Sequence, residues 1–211
     1  MTLFAGTFEL LTEEEWQCIR HCRDRRIQDF TAGRLCARTA LQQKGMSGTS
    51  LLPGNDRQPL WPDSIVGSIT HTDGYCAAVV GRDCDVRCVG LDSEVIGAVQ
   101  PDVFRRICSP PELDRLLSLT PQRRSFAAAL TFVAKEAFFK CQFPVAREWL
   151  DFDAVAVRAD NWDADLGSFR IEPLRHIALE AHASPGSGGW QGRFRRHEAF
   201  VTAGMALPVP Q

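Results

Sequence analysis

The sequence has no long apolar run, no marked excess of charge of one sign and no Cys-x-x-Cys pair. No segment approaches the ~20 apolar residues that a membrane-spanning helix needs, so no membrane contact is expected. The segment from Met1 to Glu9 lacks the basic and apolar regions of a signal peptide, which predicts a cytoplasmic protein. The 24 basic and 26 acidic side chains give a formal charge of −2. This balance argues against nucleic acid as a partner and confines any anion site to a local patch.

The eight cysteines do not have the spacing of the ligands in a structural zinc site. Cys18 and Cys22 lie four residues apart, as do Cys84 and Cys88, and a thiol-metal regulatory site would need these two pairs to converge. In a reducing compartment, free cysteines are mostly small buried apolar residues. The sequence therefore favours free thiols, with a metal site formed by the two pairs as the alternative.

The first half of the chain predicts helices followed by strands. With 211 residues, of which 45% are hydrophobic and 24% charged, the chain can form one large domain or two halves. Thr12 and Glu15 have the spacing of a capping box, which predicts that a helix begins there. The pattern from Asp24 to Lys44 favours a second helix closed by Gly45, and a turn-rich loop follows at 48–62. Three β-rich segments predict neighbouring strands of one sheet, at 65–70, 75–81 and 87–95.

The second half repeats the order of helices followed by strands. Pro101 to Ile107 and Pro110 to Leu119 are predicted to be short helices, and Gln122 to Phe143 the longest helix, which Pro144 is expected to end. Strands are predicted at 151–158, 168–174, 176–182, 190–196 and 198–207, with a loop at 184–189. The change of pattern places a seam near 97–101, which divides the chain into halves 1–98 and 99–211.

A first chemical motif is Gly90-Leu91-Asp92-Ser93-Glu94, at the end of a predicted strand. Because strand side chains alternate between faces, Asp92 and Glu94 point the same way, about 6.6 Å apart along the chain. Two carboxylates at this spacing can share one hard cation. An isolated Asp-x-Glu is also common on solvated strand edges. The apolar residues before it favour a partnered role, since carboxylates leaving a buried strand need compensation.

A second motif, Phe132 to Lys140, lies inside the long predicted helix. Phe132, Glu136 and Lys140 are four residues apart and share a stripe of the helix, beside an apolar face. An ordinary Glu-Lys surface pair would contribute only ~0.3 kcal/mol and is the alternative interpretation. The many flanking apolar residues favour a functional carboxylate, because a solvated face would carry more charge.

A third motif is the hydroxyl-rich turn from Gly67 to Gly74, in which His71 lies at a strand end. Hydroxyls and an imidazole at such a place are suitable donors to an anion. Arginines between Arg20 and Arg38, together with Arg57, could supply the other cations that a phosphate-rich ligand needs. Each arginine alone is most simply explained as a solvated charge, and a lone histidine is more often structural.

In their order and spacing, these segments resemble the 4'-phosphopantetheinyl transferases of the Sfp/EntD type, particularly the EntD-like branch that includes actinobacterial enzymes. That family has a Gly-hydrophobic-Asp-x-Glu motif and a Trp/Phe-x-x-Lys-Glu-Ala/Ser-x-x-Lys motif, and both are complete here at 90–94 and 132–140. Segments 26–38, 56–62 and 68–71 resemble its coenzyme-binding segments. The sequence departs from many relatives in having Thr70 and Thr72 in place of Ser, and in lacking a Lys before Gly54.

The resemblance implies transfer of the 4'-phosphopantetheine group of coenzyme A to a serine of an apo acyl or peptidyl carrier protein. It implies that Asp92, Glu94 and Glu136 bind Mg²⁺, with Mn²⁺ as a possible replacement. It also implies catalytic roles for Asp92, for Glu136 as candidate general base and for Lys140 as stabiliser of the leaving group. The implied coenzyme-binding residues are Arg26, Arg34, Gly54, Asp56, Arg57, Thr70, His71, Asp92, Lys135, Glu136 and Lys140.

The resemblance further implies an α+β fold of two similar α/β halves related by a pseudo-twofold axis, with the active site at the seam. A monomer is expected because the chain is long enough to supply both halves of the site. A non-catalytic coenzyme A or nucleotide-binding module is the alternative function, although it would have no use for three metal-directed carboxylates. Arg105 and Arg106 are expected to meet the carrier, while Phe104 and Ile107 belong either to that surface or to the core.

Overall fold

The computed structural model describes residues 10–177 and 190–209. Helix α1 (Glu13–Ile19) begins at the predicted capping box, where Thr12 Oγ1 accepts a hydrogen bond from the Glu15 amide and the Glu15 carboxylate accepts one from the Thr12 amide. Helix α2 (Asp24–Gln42) ends two residues before the predicted boundary. The chain then turns at Gly45, whose φ of +81° favours glycine. Both predicted helices of the first half are thus confirmed.

Strands β1 (Ile65–Thr72) and β2 (Tyr75–Arg82) form an antiparallel hairpin that packs on α2. Strand β3 (Val86–Val95) lies beside β1 but belongs to another sheet, so the prediction of three neighbours in one sheet is wrong. The reason lies in the side chains between them. Ser68 Oγ accepts a hydrogen bond from the Leu91 amide at 3.0 Å, so a hydroxyl takes the place of a backbone partner at this edge of β3.

A 3₁₀ turn (Pro101–Val103) leads into three helices, α3 (Phe104–Ile107), α4 (Pro110–Ser118) and α5 (Pro121–Ala146). The prediction that Pro144 ends the long helix is wrong, since the helix continues past it for two residues. A proline removes one amide donor, and near the end of a helix that loss affects only the last turn. Arg147, with φ of 53°, ends the helix in the left-handed region, and its amide donates to the Phe143 carbonyl.

In the described residues after α5, the strands are β4 (Val155–Ala159), β5 (Leu166–Pro173), β6 (Trp190–Arg196) and β7 (Phe200–Pro208). A 3₁₀ turn (Phe152–Ala154) precedes β4, so this strand starts later than predicted. Residues 176 and 177 are not in a strand, and the rest of the strand predicted at 176–182, like the loop at 184–189, lies outside the described residues. With β3, these strands form an antiparallel five-stranded sheet in the order β3-β7-β6-β5-β4.

Helix α5 packs on this sheet and fixes the position of β3. The main core contains Phe138 from the helix, with Phe169 and Phe194 from the sheet, all almost fully buried. At Gly90 the strand approaches α5 so closely that a Cβ atom would lie 1.8 Å from the Ala137 carbonyl oxygen. Only glycine permits this approach. The α+β fold therefore brings the strand with Asp92 directly against the helix with Glu136.

Strand β3 precedes the predicted seam yet joins the sheet of the residues that follow it. The division into 1–98 and 99–211 stays a prediction. Over residues 10–177 and 190–209, no helix is long and apolar enough to span a membrane.

Candidate active site

The three chemical motifs meet where β1, β3 and α5 come together. Asp92 Oδ1 accepts a hydrogen bond from Lys140 Nζ at 2.6 Å and another from Thr70 Oγ1 at 3.2 Å. Lys140 Nζ also lies 3.4 Å from the Ile69 carbonyl and 3.3 Å from the Leu91 carbonyl. Its side chain is 30% exposed, so the ammonium is anchored at the strand edges and still faces solvent.

Asp92 is a buried carboxylate, with 7% of its surface exposed. Burial raises the pKa of Asp92, while the charge and hydrogen bond of Lys140 and the hydroxyl of Thr70 oppose this rise. The neighbouring Glu94 carboxylate adds to it. Asp92 is therefore held among donors that offset part of the cost of its burial.

Glu136 faces the same cluster from α5. Burial raises the pKa of Glu136, the Asp92 charge raises it further, and Lys140 lowers it. Two carboxylates that repel each other in a partly desolvated environment are stabilised when a cation binds between them. The Lys140 ammonium supplies part of that compensation.

Glu94 lies next to this pair and is engaged by the hairpin. Its Oε1 atom accepts hydrogen bonds from Thr72 Oγ1 and from the Val95 amide, each at 2.7 Å. In the described parts of the chain, no three His, Cys, Asp or Glu side chains are arranged to hold a metal ion. The oxygen donors of Asp92, Glu94 and Glu136 fit the chemistry of a hard divalent cation. The structure thus brings the predicted ligands close to one another without a preformed metal site.

Lys135 does not join the cluster. Its ammonium donates to Glu112 Oε2 and to the Phe152 carbonyl, both at 2.8 Å, and its side chain is 2% exposed. Glu112 Oε1 in turn accepts from the Val157 amide at 2.7 Å, so the pair joins α4, α5 and β4. A phosphate contact by Lys135 would require the ammonium to leave both partners. The geometry therefore favours a structural role for this residue.

Two of the predicted coenzyme-binding arginines lie on α2 around the Phe30 ring. The Arg34 guanidinium lies 3.9 Å from the ring centroid, and its Nε donates to the Leu51 carbonyl at 2.7 Å. Burial lowers the pKa of Arg34 to about 10, so the group remains charged at neutral pH. The exposed Arg26 lies 6.0 Å from the same ring. Two cations beside one ring are suited to an anionic ligand.

The remaining predicted binding residues lie on an exposed or half-buried loop and on strand β1. The Gly54 amide donates to the Gln58 carbonyl at 2.7 Å, which closes the loop that carries Asp56 and Arg57. Asp56 Oδ2 lies 3.6 Å from the Arg147 guanidinium, just after the end of α5. The loop therefore lies near that end of the helix. His71 is exposed on β1, beyond Thr70. The structure does not bring these residues into contact with Asp92.

Two features escaped the sequence reasoning. The buried partner of Lys135 is Glu112, and the pattern Ser109-Pro-Pro-Glu112 could have indicated a capping box there, since the Ser109 amide donates to Glu112 at 2.7 Å. The second is an aromatic shelf of three rings, which we define as Phe139, Phe143 and Trp149, with centroids 5.1 to 6.2 Å apart. Trp149 is 69% exposed, and no periodic pattern marks it.

A pocket of about 660 Å³ opens beside Glu94. Its lining includes the exposed Arg105 and Arg106 and also Ile107, although Phe104 and Ile107 are both buried in a core cluster, with 3% and 4% exposed. Of the two expectations for this apolar pair, the core position is confirmed. Val103 and Phe132 supply the apolar wall of the pocket.

Two protein-family models match the chain. Residues 14–81 match the 4'-phosphopantetheinyl transferase N-terminal domain, and residues 88–193 match the 4'-phosphopantetheinyl transferase superfamily. The chain belongs to the 4'-phosphopantetheinyl transferase superfamily. The superfamily match contains Asp92, Glu94, Glu136 and Lys140, and the N-terminal match contains the two arginines on α2.

Curated members of the superfamily are similar over most of the chain. Phosphopantetheinyl transferase Svp of Streptomyces mobaraensis is 32% identical over 202 residues, which are 95% of this chain and 80% of the relative. PptT of Mycobacterium tuberculosis is 35% identical over 181 residues, with 86% and 69% covered. Enterobactin synthase component D of Escherichia coli is 31% identical over 151 residues, 70% of each chain.

Proposed function

We propose that this transferase moves the 4'-phosphopantetheine group of coenzyme A to a serine of an apo acyl or peptidyl carrier protein. The serine oxygen forms a bond to the phosphorus that bears the pantetheine. The bond from that phosphorus to the bridging oxygen breaks, and adenosine 3',5'-bisphosphate leaves. The observation that carries the proposal is the meeting of Asp92, Glu136 and Lys140 from both family motifs at one solvent-facing place.

The three carboxylates Asp92, Glu94 and Glu136 would hold a divalent cation, Mg²⁺ or in its place Mn²⁺. Such a cation supplies positive charge against the pyrophosphate and its bridging oxygen. The mutual repulsion of Asp92 and Glu136 supports this assignment, because a bound cation relieves it.

Residues of helix α5 would accept the serine proton and stabilise the leaving group. Glu136 would accept the serine proton, directly or through a water, and its raised pKa makes it a stronger base than an ordinary glutamate. Lys140, next to it on the helix stripe, would donate to the departing phosphate oxygen. Its contact with Asp92 holds the ammonium in place before the substrate arrives.

Coenzyme binding would use the cations around Phe30 and the turns beside them. Arg26, Arg34 and His71 would bind phosphate oxygens, with Thr70 as a hydroxyl donor and the loop of Gly54, Asp56 and Arg57 against the nucleotide. The aromatic shelf, next to Lys140 in the sequence, offers an apolar surface to the pantetheine arm.

The carrier protein would dock at the pocket beside Glu94. Arg105 and Arg106 line this pocket and are exposed, which suits a partner with carboxylates around its serine. We further propose a monomer in the cytoplasm. Both motif-bearing elements lie in one chain, and eight free cysteines fit a reducing compartment.

We propose that the halves 1–98 and 99–211 are related by a pseudo-twofold axis, with the site at their seam. In support, each half contains a long helix, α2 or α5, packed on strands that follow it in sequence.

Incubation with coenzyme A, Mg²⁺ and a panel of apo carrier proteins from fatty acid, polyketide, nonribosomal peptide and siderophore synthesis tests the function. We expect at least one carrier to gain the mass of phosphopantetheine, with adenosine 3',5'-bisphosphate released in equal amount. A protein that binds coenzyme A tightly but modifies no carrier in the panel would support the non-catalytic module instead.

A further inference from the structure

A pair of buried thiols lies between the strand and the helix that carry Asp92 and Lys140. Cys88 on β3 and Cys141 on α5 have their Sγ atoms 3.3 Å apart, and both side chains are buried in the main core. Cys88 lies on the strand that carries Asp92, and Cys141 immediately follows Lys140. The pair therefore joins the two elements that form the Asp92-Lys140 contact.

The packing that brings these sulfurs together is dictated by the fold. Gly90 allows β3 to approach α5 at Ala137, one helical turn before Cys141. The pairing of β3 with β7 shifts register between Val86 and Cys88. A disulfide has an S–S bond of about 2.05 Å, so closing this pair needs the sulfurs to approach by roughly 1 Å.

We propose that Cys88 and Cys141 are a redox pair whose oxidation to a disulfide ties β3 to α5 and slows transfer at the adjoining site. The formation of the disulfide does not depend on the proposed function, whereas its effect on transfer rests on it.

The oxidation is balanced with a peroxide as the oxidant. One thiolate attacks a peroxide oxygen, which gives a sulfenic acid and, with hydrogen peroxide, one water. The second thiol then attacks the sulfenic sulfur, forms the S–S bond and releases another water. Two sulfurs together lose two electrons, and the peroxide gains them. A thiol reductant reverses the step by exchange.

Cys88 is the better candidate for the first attack. The hydrogen bond from the Cys141 thiol lowers the pKa of Cys88 and raises that of Cys141, which favours the thiolate at Cys88. Because both side chains are at most 1% exposed, the reaction requires local opening of the core and a small oxidant.

Formation of the disulfide is expected to change the positions of the active-site side chains. Where rotation of the two cysteine side chains does not supply this approach of roughly 1 Å, the strand that carries Asp92 or the helix that carries Lys140 has to move. A misplacement of about 1 Å can cost on the order of a hundredfold in a reaction that depends on positioning. We therefore expect the oxidised protein to lose transfer activity about tenfold or more.

The test uses the full chain in a Cys36→Ser background, because Cys36 and Cys76 form a second close contact, with Cys36 Sγ 3.5 Å from the Cys76 carbonyl oxygen. The protein is treated with hydrogen peroxide, alkylated and digested without reductant, and its peptides are weighed. We expect a linked Cys88–Cys141 peptide that has lost two hydrogen atoms and disappears after dithiothreitol. If Cys88 and Cys141 are still alkylated as free thiols when the exposed cysteines are fully oxidised, the proposed disulfide does not form.

Transfer to the carrier is then measured before oxidation, after it and after reduction. We expect oxidation to lower the rate of transfer and dithiothreitol to restore it. Cys141→Ala should show no such reversible loss. Cys108→Ala, at another buried cysteine, is the control and should behave like the unmodified pair. If the linked peptide forms but the rate of transfer is unchanged, the proposed effect of the disulfide on transfer is refuted. If the reduced protein modifies no carrier, the proposed function fails, while the peptide map still decides whether the disulfide forms.

Discussion

Lys140 Nζ lies 2.6 Å from Asp92 Oδ1, and this contact joins the helix motif to the strand motif. The two residues come from elements that the intervening helices α3 and α4 separate along the chain. Their contact places one ammonium between the strand carboxylate and Glu136, whose pKa both neighbours affect.

Removal of either central carboxylate is expected to abolish transfer. Asp92→Asn and Glu136→Gln should each reduce kcat at least ~100-fold, because each removes a cation ligand that stabilises charge in the transition state. Carrier modification at saturating coenzyme A measures the loss. Glu172→Gln, at an exposed carboxylate paired with Arg158 on the outer strands, is the matched control and should stay near wild type. Turnover of either central variant within a few-fold of wild type would refute the assigned site.

Glu136→Gln is also expected to stabilise the fold while it removes activity. The folded-state pKa of Glu136 lies above its ordinary value of 4.5, so the folded state binds more protons than the unfolded state between the two values. Stability conferred by this group therefore falls as pH rises through that window, and the cost is fully present above the folded-state pKa. Thermal unfolding should show a higher Tm for the variant at pH 7 and a smaller difference at acidic pH. An equal or lower Tm at pH 7 contradicts the assigned environment.

Lys135→Met is expected to affect folding more than coenzyme binding. The substitution leaves the buried Glu112 carboxylate without its charged partner, and the loss of one partner of a buried ion pair typically costs about 3 to 5 kcal/mol. Denaturant unfolding measures this loss. Lys135→Met combined with Glu112→Gln should recover part of it, because the second change removes the unpaired charge and keeps an oxygen acceptor for the Val157 amide. Calorimetry on the folded double variant then gives the coenzyme A affinity. An affinity loss of tenfold or more there would restore the phosphate contact predicted from the sequence.

Arg34→Ala and His71→Ala are expected to weaken coenzyme A binding more than they lower kcat. These groups would contact a phosphate whose charge changes little during the reaction, so their loss affects ground state and transition state alike. Calorimetry with coenzyme A and dephospho-coenzyme A identifies the phosphate. If both ligands bind wild type and variants in the same ratio, neither side chain contacts the 3'-phosphate. Because Arg34 also packs on Phe30, the Tm of its variant is measured in parallel.

Charge reversal at the pocket beside Glu94 is expected to impair carrier recognition. Arg105→Glu with Arg106→Glu should raise the KM for the carrier several-fold and flatten its salt dependence, with little effect on coenzyme A affinity. Initial rates at low and high salt check this expectation. Arg170→Glu with Arg193→Glu, on exposed positions of β5 and β6, is the control of equal charge change. Identical carrier kinetics in the two double variants would place docking elsewhere.

Local patterns in the sequence were sufficient to predict most elements. The capping box at Thr12 and the periodic pattern of α2 depend on neighbours within one or two turns, and the structure confirms both. Pro144 shows the limit of such rules, because the loss of one amide donor does not stop a helix that is already near its end. The sheet to which β3 belongs also could not be predicted, since it depends on hydrogen bonds with distant strands.

By itself, the sequence determined the residue types of the candidate site and their order along the chain. Asp92, Glu136 and Lys140 could be named because they stand in two motifs that resemble those of the 4'-phosphopantetheinyl transferases. Only the tertiary structure decided which neighbours each side chain has. Lys135 and Glu136 are adjacent in sequence, yet helix geometry turns them in directions about 100° apart. Lys135 therefore pairs with Glu112 in the interior, while Glu136 faces Asp92.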